Sequence, residues 1–159
     1  MKRAFTLIEV LVAVTIVALI SGGALIYLNN FNSKQKLNKS KDEVISALKL
    51  AQSYAKTRQL PLDSGLSELD FVQVKINSNG FIEARANSDV GPTYFYNAVN
   101  NSEITVTSDP TTIYFLGNSG GNLSGESAVV IVENEFEARG SYQITVNALG
   151  QISQTSFIE

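Results

Sequence analysis

Few side chains in this 159-residue chain are equipped for covalent chemistry. It contains no Cys and no His, which removes thiol nucleophiles, Ser-His-Asp triads, zinc sites built on those ligands and a histidine pH switch. Carboxylates, hydroxyls and amines remain. Glu133, Glu135 and Glu137 alternate around Asn134 and Phe136, so on a strand they would share one face, as the oxygen ligands of a calcium site do. Such rows are more often solvated, and so are Asp63, Glu68 and Asp70; no metal or other cofactor is expected. Residues 117–126, GNSGGNLSGE, are rich in glycine but lack the Lys and the spacing of a P-loop. They are expected to form a flexible surface loop, with an adhesive or partner-binding loop as the lesser alternative. No spacing nominates a carboxylate pair or a Ser-Lys arrangement, so no enzyme is expected.

One carboxylate stands apart. Glu9 is the only charged residue between Phe5 and Ser33, and residues 10–33 are 24 uncharged residues in succession. At 1.5 Å per residue, about 20 such residues cross a hydrocarbon core of roughly 30 Å. A soluble core helix would show a polar face at 3.6-residue periodicity, and none occurs before Asn29. A transmembrane helix is therefore expected over residues 5–28. The apolar stretch is longer than the 7–15 residues of a signal peptide, and Ser21-Gly22-Gly23-Ala24 is a weak cleavage candidate. A lone carboxylate in such a helix costs about 2.5–3.5 kcal/mol near a bilayer centre and less near its end. Snorkelling to the cytoplasmic interface is one account of Glu9; a role in binding another group is the other.

Lys2-Arg3-Ala4 followed by Phe5-Thr6-Leu7-Ile8-Glu9-Val10 resembles the processing site of type IV pilins and type II secretion pseudopilins. The resemblance implies that a prepilin peptidase cuts between Ala4 and Phe5 and that Phe5 is then N-methylated. It also implies that Glu9 serves assembly, pairing with the terminal amine of a neighbouring subunit. The family usually has Gly before the cut; Ala4 stands there here, a small residue that some members carry, and cleavage is still expected. A leader at residues 1–4 and a filament-core helix at 5–28 follow from the same likeness.

The elements that must carry these residues change character twice along the chain. Between residues 34 and 58 lie seven basic residues, Lys34, Lys36, Lys39, Lys41, Lys49, Lys56 and Arg58, against Asp42 and Glu43. Leu37, Val44, Leu48, Ala51 and Ala55 recur at helical spacing, with Ala47 and Tyr54 widening the stripe. Residues 29–60 thus read as an amphipathic continuation of the first helix, stopped by Pro61, and one helix over residues 5–59 would be roughly 80 Å long. The lysines at 34–41 suit a solvated face or anionic lipid first, pairing with an acidic subunit surface second and DNA last. They oppose the positive-inside rule, so placing Lys2-Arg3 in the cytoplasm rests on the family likeness. Ser21-Gly22-Gly23 weakens the helix by about 1 kcal/mol per glycine, as a site of close packing or of local melting when a subunit leaves the bilayer.

From residue 61 to 159 there are twelve acidic residues and only Lys75, Arg85 and Arg139. Strands are predicted at residues 71–76, 81–85, 93–96, 104–107, 112–116, 128–133, 142–146 and 151–155, with hairpins at Asn79-Gly80 and at residues 147–150. Val129, Val130, Ile131 and Val132 read as a central strand covered on both faces, and Tyr94, Phe95 and Tyr96 as strand packing. The expected fold is α+β: a long N-terminal helix whose apolar stripe covers one antiparallel sheet of a β-rich domain, pilin-like.

Residues 51–61 followed by an all-β remainder closing on residues 144–152 look like the GspH/FimT-type minor pseudopilins. The expected function is a structural, non-enzymatic subunit of a type IV pilus or type II secretion pseudopilus. Its expected partners are other pilin or pseudopilin subunits, the prepilin peptidase/N-methyltransferase, the inner-membrane assembly platform and membrane lipid; nucleic acid is not expected. Its expected place is the cytoplasmic membrane, single-pass with the β domain outside, and then an extracytoplasmic filament. The alternative is a tip-located module of the same filament class that captures DNA, a surface or a secreted substrate.

Overall fold

The computed structural model describes residues 6–62, 64–77, 80–99, 103–122, 124–134 and 140–158, the side chains of 23–27, 98 and 155–158 excepted. Eight strands follow one helix: α1 (Leu7–Thr57), β1 (Phe71–Ile76), β2 (Phe81–Ala86), β3 (Thr93–Ala98), β4 (Ile104–Asp109), β5 (Thr112–Leu116), β6 (Ala128–Asn134), β7 (Ser141–Val146) and β8 (Ile152–Ile158). Every predicted strand is present, with ends differing by at most three residues and those at 71–76 and 112–116 unchanged. The chain divides into two compact units, Met1–Gln35 and Lys36–Glu159.

The first unit holds the start of α1. Thr6 caps it: its carbonyl accepts the amides of Glu9 and Val10, and its hydroxyl accepts the Glu9 amide at 3.4 Å. Threonine followed three residues later by glutamate is the arrangement of a helix-capping box, and an acid in the first turn opposes the positive end of the helix dipole. α1 runs unbroken through Gly22.

In the second unit the remaining turns of α1 bury the anticipated stripe. Leu37, Val44, Ala47, Leu48, Ala51 and Ala55 are all 2% exposed or less. The helix ends in a Schellman turn, in which the Gln59 amide donates to the Tyr54 carbonyl and the Arg58 amide to that of Ala55, with Arg58 at a φ of 49°. Pro61 was expected to stop the helix; the stop comes three residues earlier, from this turn.

The strands form two four-stranded antiparallel sheets, ordered β3-β2-β1-β5 and β4-β6-β7-β8. One covered sheet was expected, but one core joins the helix stripe to residues of both, including Val72, Ile82, Ile113 and Phe115 from the first and Val106, Val130 and Ile144 from the second. β6 is central in its sheet yet covered on one face only: Val130 and Val132 are buried while Ile131 is 37% exposed. Val and Ile tolerate a half-covered pleat, so four apolar residues in a row did not require burial on both faces. The β7–β8 hairpin closes as expected, the Gln151 amide donating to Asn147 Oδ1 at 2.8 Å. At the β1–β2 hairpin Asn77 and Phe81 are hydrogen-bonded; Asn79 lies outside the described residues.

Candidate functional site

The exposed start of α1 is the first candidate surface. Every large apolar side chain of residues 7–20 is more than half exposed, from 51% at Val10 and Ile16 to 83% at Leu7. Contiguous apolar surface of this kind is characteristic of a face made for a partner or a membrane. Glu9 sits on the first turn of this helix, exposed, and has no cationic partner among the described residues. Ala4 and Phe5 lie outside the described residues. Among the described residues no helix is long and apolar enough to cross a membrane. The described side chains of this run cover residues 6–22, roughly 25 Å of helix against the roughly 30 Å of a hydrocarbon core. The span expected over 5–28 is thus one that the described residues alone do not make.

The lysines at 36–41 are drawn into the second unit's own contacts. Lys36 Nζ bonds both oxygens of Glu103 at 2.8 and 2.9 Å, Lys39 lies 3.7 Å from Glu43, and Lys41 pairs with Asp42 at 3.2 Å while standing 4.8 Å over the Tyr142 ring. The Tyr142 hydroxyl in turn donates to Asn38 Oδ1 at 2.7 Å. Partly exposed pairs of this type contribute little each.

The glycine-rich segment 117–126, expected as a flexible surface loop, is exposed at Asn118, Ser119 and residues 124–126 but anchored at its middle. Gly120, Gly121 and Asn122 are buried. The Asn118 amide donates to the Ala55 carbonyl at 3.2 Å, the Leu116 amide to Gly121 at 2.8 Å and the Asn122 amide to Ala148 at 3.0 Å. Gln52, within the helix stripe, donates through Nε2 to the carbonyls of both Gly120 and Gly150. Both glycines are required. Gly120 has φ 64° and a Cβ there would lie 2.6 Å from Lys56 Cε; a Cβ on Gly150, at φ 75°, would lie 2.0 Å from the Gly120 carbonyl oxygen. The segment is a clasp joining the end of α1, β5 and the β7–β8 turn. The signal that could have found it was Gln52, a polar residue set between Leu48 and Ala55 where the periodicity asks for an apolar one.

Tyr94 behaves as expected of strand packing and adds a tie to the helix end. Its ring stacks on Tyr54 at 4.7 Å and its hydroxyl donates to the Gln59 carbonyl at 2.6 Å. Burial, and then repulsion from the Tyr54 phenol, push its pKa from 10.0 up to about 12. The acidic row is only partly described: Glu133 is exposed at the end of β6, and Glu135 and Glu137 lie outside the described residues, as does Asp63. The described residues contain no group of three acidic side chains placed to hold a metal.

Residues 1–25 match the family described as the prokaryotic N-terminal methylation motif. No curated protein sequence matches the chain significantly. Among solved structures, the fold is similar to the type IV minor pilin FimU of Pseudomonas aeruginosa (strain PAO1), with a TM-score of 0.62 at 10% identity over 79% of this chain and 92% of that one. A second crystal form of the same protein gives a TM-score of 0.58 at 9% identity, over 75% and 92%. At such identity the likeness is one of fold. The chain carries an N-terminal methylation motif ahead of a pilin fold, α+β with a long N-terminal helix and antiparallel sheets.

Proposed function

We propose that the chain is a non-enzymatic structural subunit of a type IV pilus or type II secretion pseudopilus, a minor pilin or pseudopilin of the GspH/FimT kind. The reading rests above all on one continuity: the methylation motif at residues 1–25 runs directly into a helix whose described apolar side chains from Leu7 to Ile20 face outward uncovered. In this reading a prepilin peptidase cuts between Ala4 and Phe5, and Phe5 is N-methylated. Residues 5–28 hold the precursor in the cytoplasmic membrane with the β-rich body outside, before the assembly platform moves it into the filament. An apolar helix without a polar side suits both surroundings, since lipid and a bundle of like helices each enclose it on all faces.

Glu9 then acts in assembly. A carboxylate among apolar residues is costly unless an opposite charge meets it, and the amine freed at Phe5 of an adjacent subunit is such a charge. Mass spectrometry of the protein isolated from native membranes tests the reading. The expected mature chain begins at N-methyl-phenylalanine, residue 5; a chain still starting at Met1, or cut beyond Phe5, overturns it.

A further inference from the structure

The sheet β3-β2-β1-β5 turns one face to the core and the other outward, and the outward face carries a cleft. Val72, Val74 and Ile76 of β1 and Ile82, Ala84 and Ala86 of β2 are buried in the core, so the alternate residues Gln73, Lys75, Glu83 and Arg85 project to the other side. Gln73 stands opposite Arg85 and Lys75 opposite Glu83. The segment after β2 folds back over one end of this row, where Gln73 Nε2 donates to Asp89 Oδ1 and Arg85 Nη1 to the Gly91 carbonyl at 3.2 Å. Gln73, in the middle of the face, is left only 4% exposed, so the fold-back turns an open pleat into a concave site. Gln73, Lys75, Glu83, Arg85 and Asp89 line a cleft of about 190 Å³.

The charges of the lining cancel, Lys75 and Arg85 standing against Glu83 and Asp89. An ion of either sign would meet two like charges there. An uncharged ligand rich in hydroxyls would not, and each of its hydroxyls both donates and accepts. Arg85 Nη2 donates to Glu83 Oε1, which ties those two side chains together at 30% and 16% exposed. Lys75 and Asp89 are exposed, and neither has an ion pair among the described residues. The Lys75 ammonium thus offers donors, and the second oxygen of Asp89 an acceptor. Two tyrosines border this row on the same face. Tyr96 of β3 stands directly opposite Glu83, and Tyr114 of β5 directly opposite Gln73, which sets facing Cβ atoms roughly 4.5–5.5 Å apart. A phenylalanine steadies each ring: Tyr96 stacks on Phe81 at 5.0 Å and 22°, and Tyr114 meets Phe71 edge to face at 5.5 Å. Tyr96 is still 57% exposed, an aromatic surface held in place at the edge of the cleft.

We propose that this cleft binds a neutral saccharide, with the hydroxyls of one sugar unit held by Lys75 and Asp89 and a sugar face resting on Tyr96. Lys75 Nζ donates to hydroxyl oxygens, and the Asp89 carboxylate accepts from hydroxyl hydrogens. The C–H bonds on the face of a sugar ring carry partial positive charge and lie favourably on the negative face of an aromatic ring. Glu83 and Arg85, bound to each other, form the wall between these contacts. The volume equals about six water molecules at roughly 30 Å³ each, the scale of one sugar unit, so a longer glycan continues past the cleft over Tyr96. The site uses none of residues 1–35, and its test stands or falls apart from the filament reading.

Nuclear magnetic resonance on the full-length, nitrogen-15-labelled chain tests it, in a detergent whose headgroup carries no sugar. The probes are cellotriose, maltotriose and triacetylchitotriose, with glycerol as a control for loose hydroxyls and glycine for a zwitterion. At least one trisaccharide is expected to give a saturable shift of the backbone amides of Lys75, Glu83 and Tyr96. Its affinity is expected to fall about tenfold or more in Tyr96→Ala and in Lys75→Met, and to stay within about twofold in Tyr96→Phe, which keeps the ring. Both side chains are exposed, so the variants are expected to fold. No shift with any trisaccharide, shifts confined to other parts of the chain, or unchanged affinity in both Tyr96→Ala and Lys75→Met would overturn the site. Glycerol or glycine shifting the same amides as strongly at equal concentration would overturn the saccharide as its ligand.

Discussion

Residues 7–20 and 37–55 belong to the same helix and draw on the same apolar side chains, with opposite outcomes. In the first stretch Leu, Ile and Val are 51–83% exposed; in the second, Leu37, Val44, Ala47, Leu48, Ala51 and Ala55 are 2% exposed or less. The difference lies in arrangement. Between 37 and 55 the apolar positions recur every three or four residues and Lys39, Asp42, Ser46, Lys49 and Ser53 fill the other side, so one packed face satisfies the helix. Between 7 and 20 apolar residues point in every direction, and a single partner surface would leave most of them in water. Such a helix is satisfied only by surroundings that enclose it.

Glu9→Val offers the sharpest break between the two regions. If Glu9 serves assembly, its loss lowers incorporation into sheared filaments by roughly a hundredfold, the equivalent of the approximately 2.5–3.5 kcal/mol that the neighbour's cationic amine costs when left among apolar residues without its counter-ion. The unfolding midpoint of the β-rich body stays where it was. Normal incorporation of the variant would refute the role. The next contrast is one of size alone. Leu48→Ala, with a side chain fully buried, is expected to cost about 2–5 kcal/mol in urea unfolding. Leu11→Ala, 60% exposed, is expected to stay within about 0.5 kcal/mol.

The clasp between helix and loop extends the second region's reach. Gln52→Ala would leave the carbonyls of Gly120 and Gly150 without their shared donor, at an expected cost of about 1–3 kcal/mol in the same measurement. Why this clasp was hidden in the sequence while the strands were plain is a matter of range. The stripe from Leu37 to Ala55, the alternation in FVQVKI and the turn at residues 147–150 are patterns of neighbours a few residues apart, and each appears where its pattern places it. Gln52 and Gly150 meet across 98 positions, and glycine spelled in a row reads equally as flexibility or as the close approach of two backbones. The division into two sheets likewise comes from long-range pairing. At the N-terminus the legible part was the motif itself; Ala4 and Phe5, between which cleavage is proposed, lie outside the described residues.

Tyr94 ties the last turn of the helix to the first sheet, and pH reads the strength of that tie. Its folded pKa, near 12, lies above the ordinary 10.0 because burial, then Tyr54, disfavours the phenolate. The neutral hydroxyl that donates to Gln59 therefore stabilises the fold fully below about pH 10, and that contribution is lost as pH rises from about 10 to about 12. Tyr94→Phe is expected to cost about 1 kcal/mol at neutral pH and to flatten this part of the curve. Unfolding midpoints at pH 8, 10 and 11 check both; a variant whose midpoint falls with pH as steeply as the parent's would show that the fall comes from other groups.

The smallest effect marks the end of the buried stretch. Arg58 takes the left-handed position of the Schellman turn at φ 49°, where glycine is the usual occupant because a Cβ there crowds the following carbonyl. Arg58→Gly relieves that crowding but gives the unfolded chain more freedom, and the balance is an expected gain of about 0.5–1 kcal/mol with an unchanged denaturant slope. Pro61→Ala separates this stop from the other. If the turn at Arg58 ends the helix by itself, removing the proline leaves helix content unchanged by circular dichroism. If the proline ends it, Pro61→Ala lengthens the helix and pulls Gln59 away from the Tyr94 hydroxyl, so that Tyr94→Phe then costs less in that background than in the parent chain.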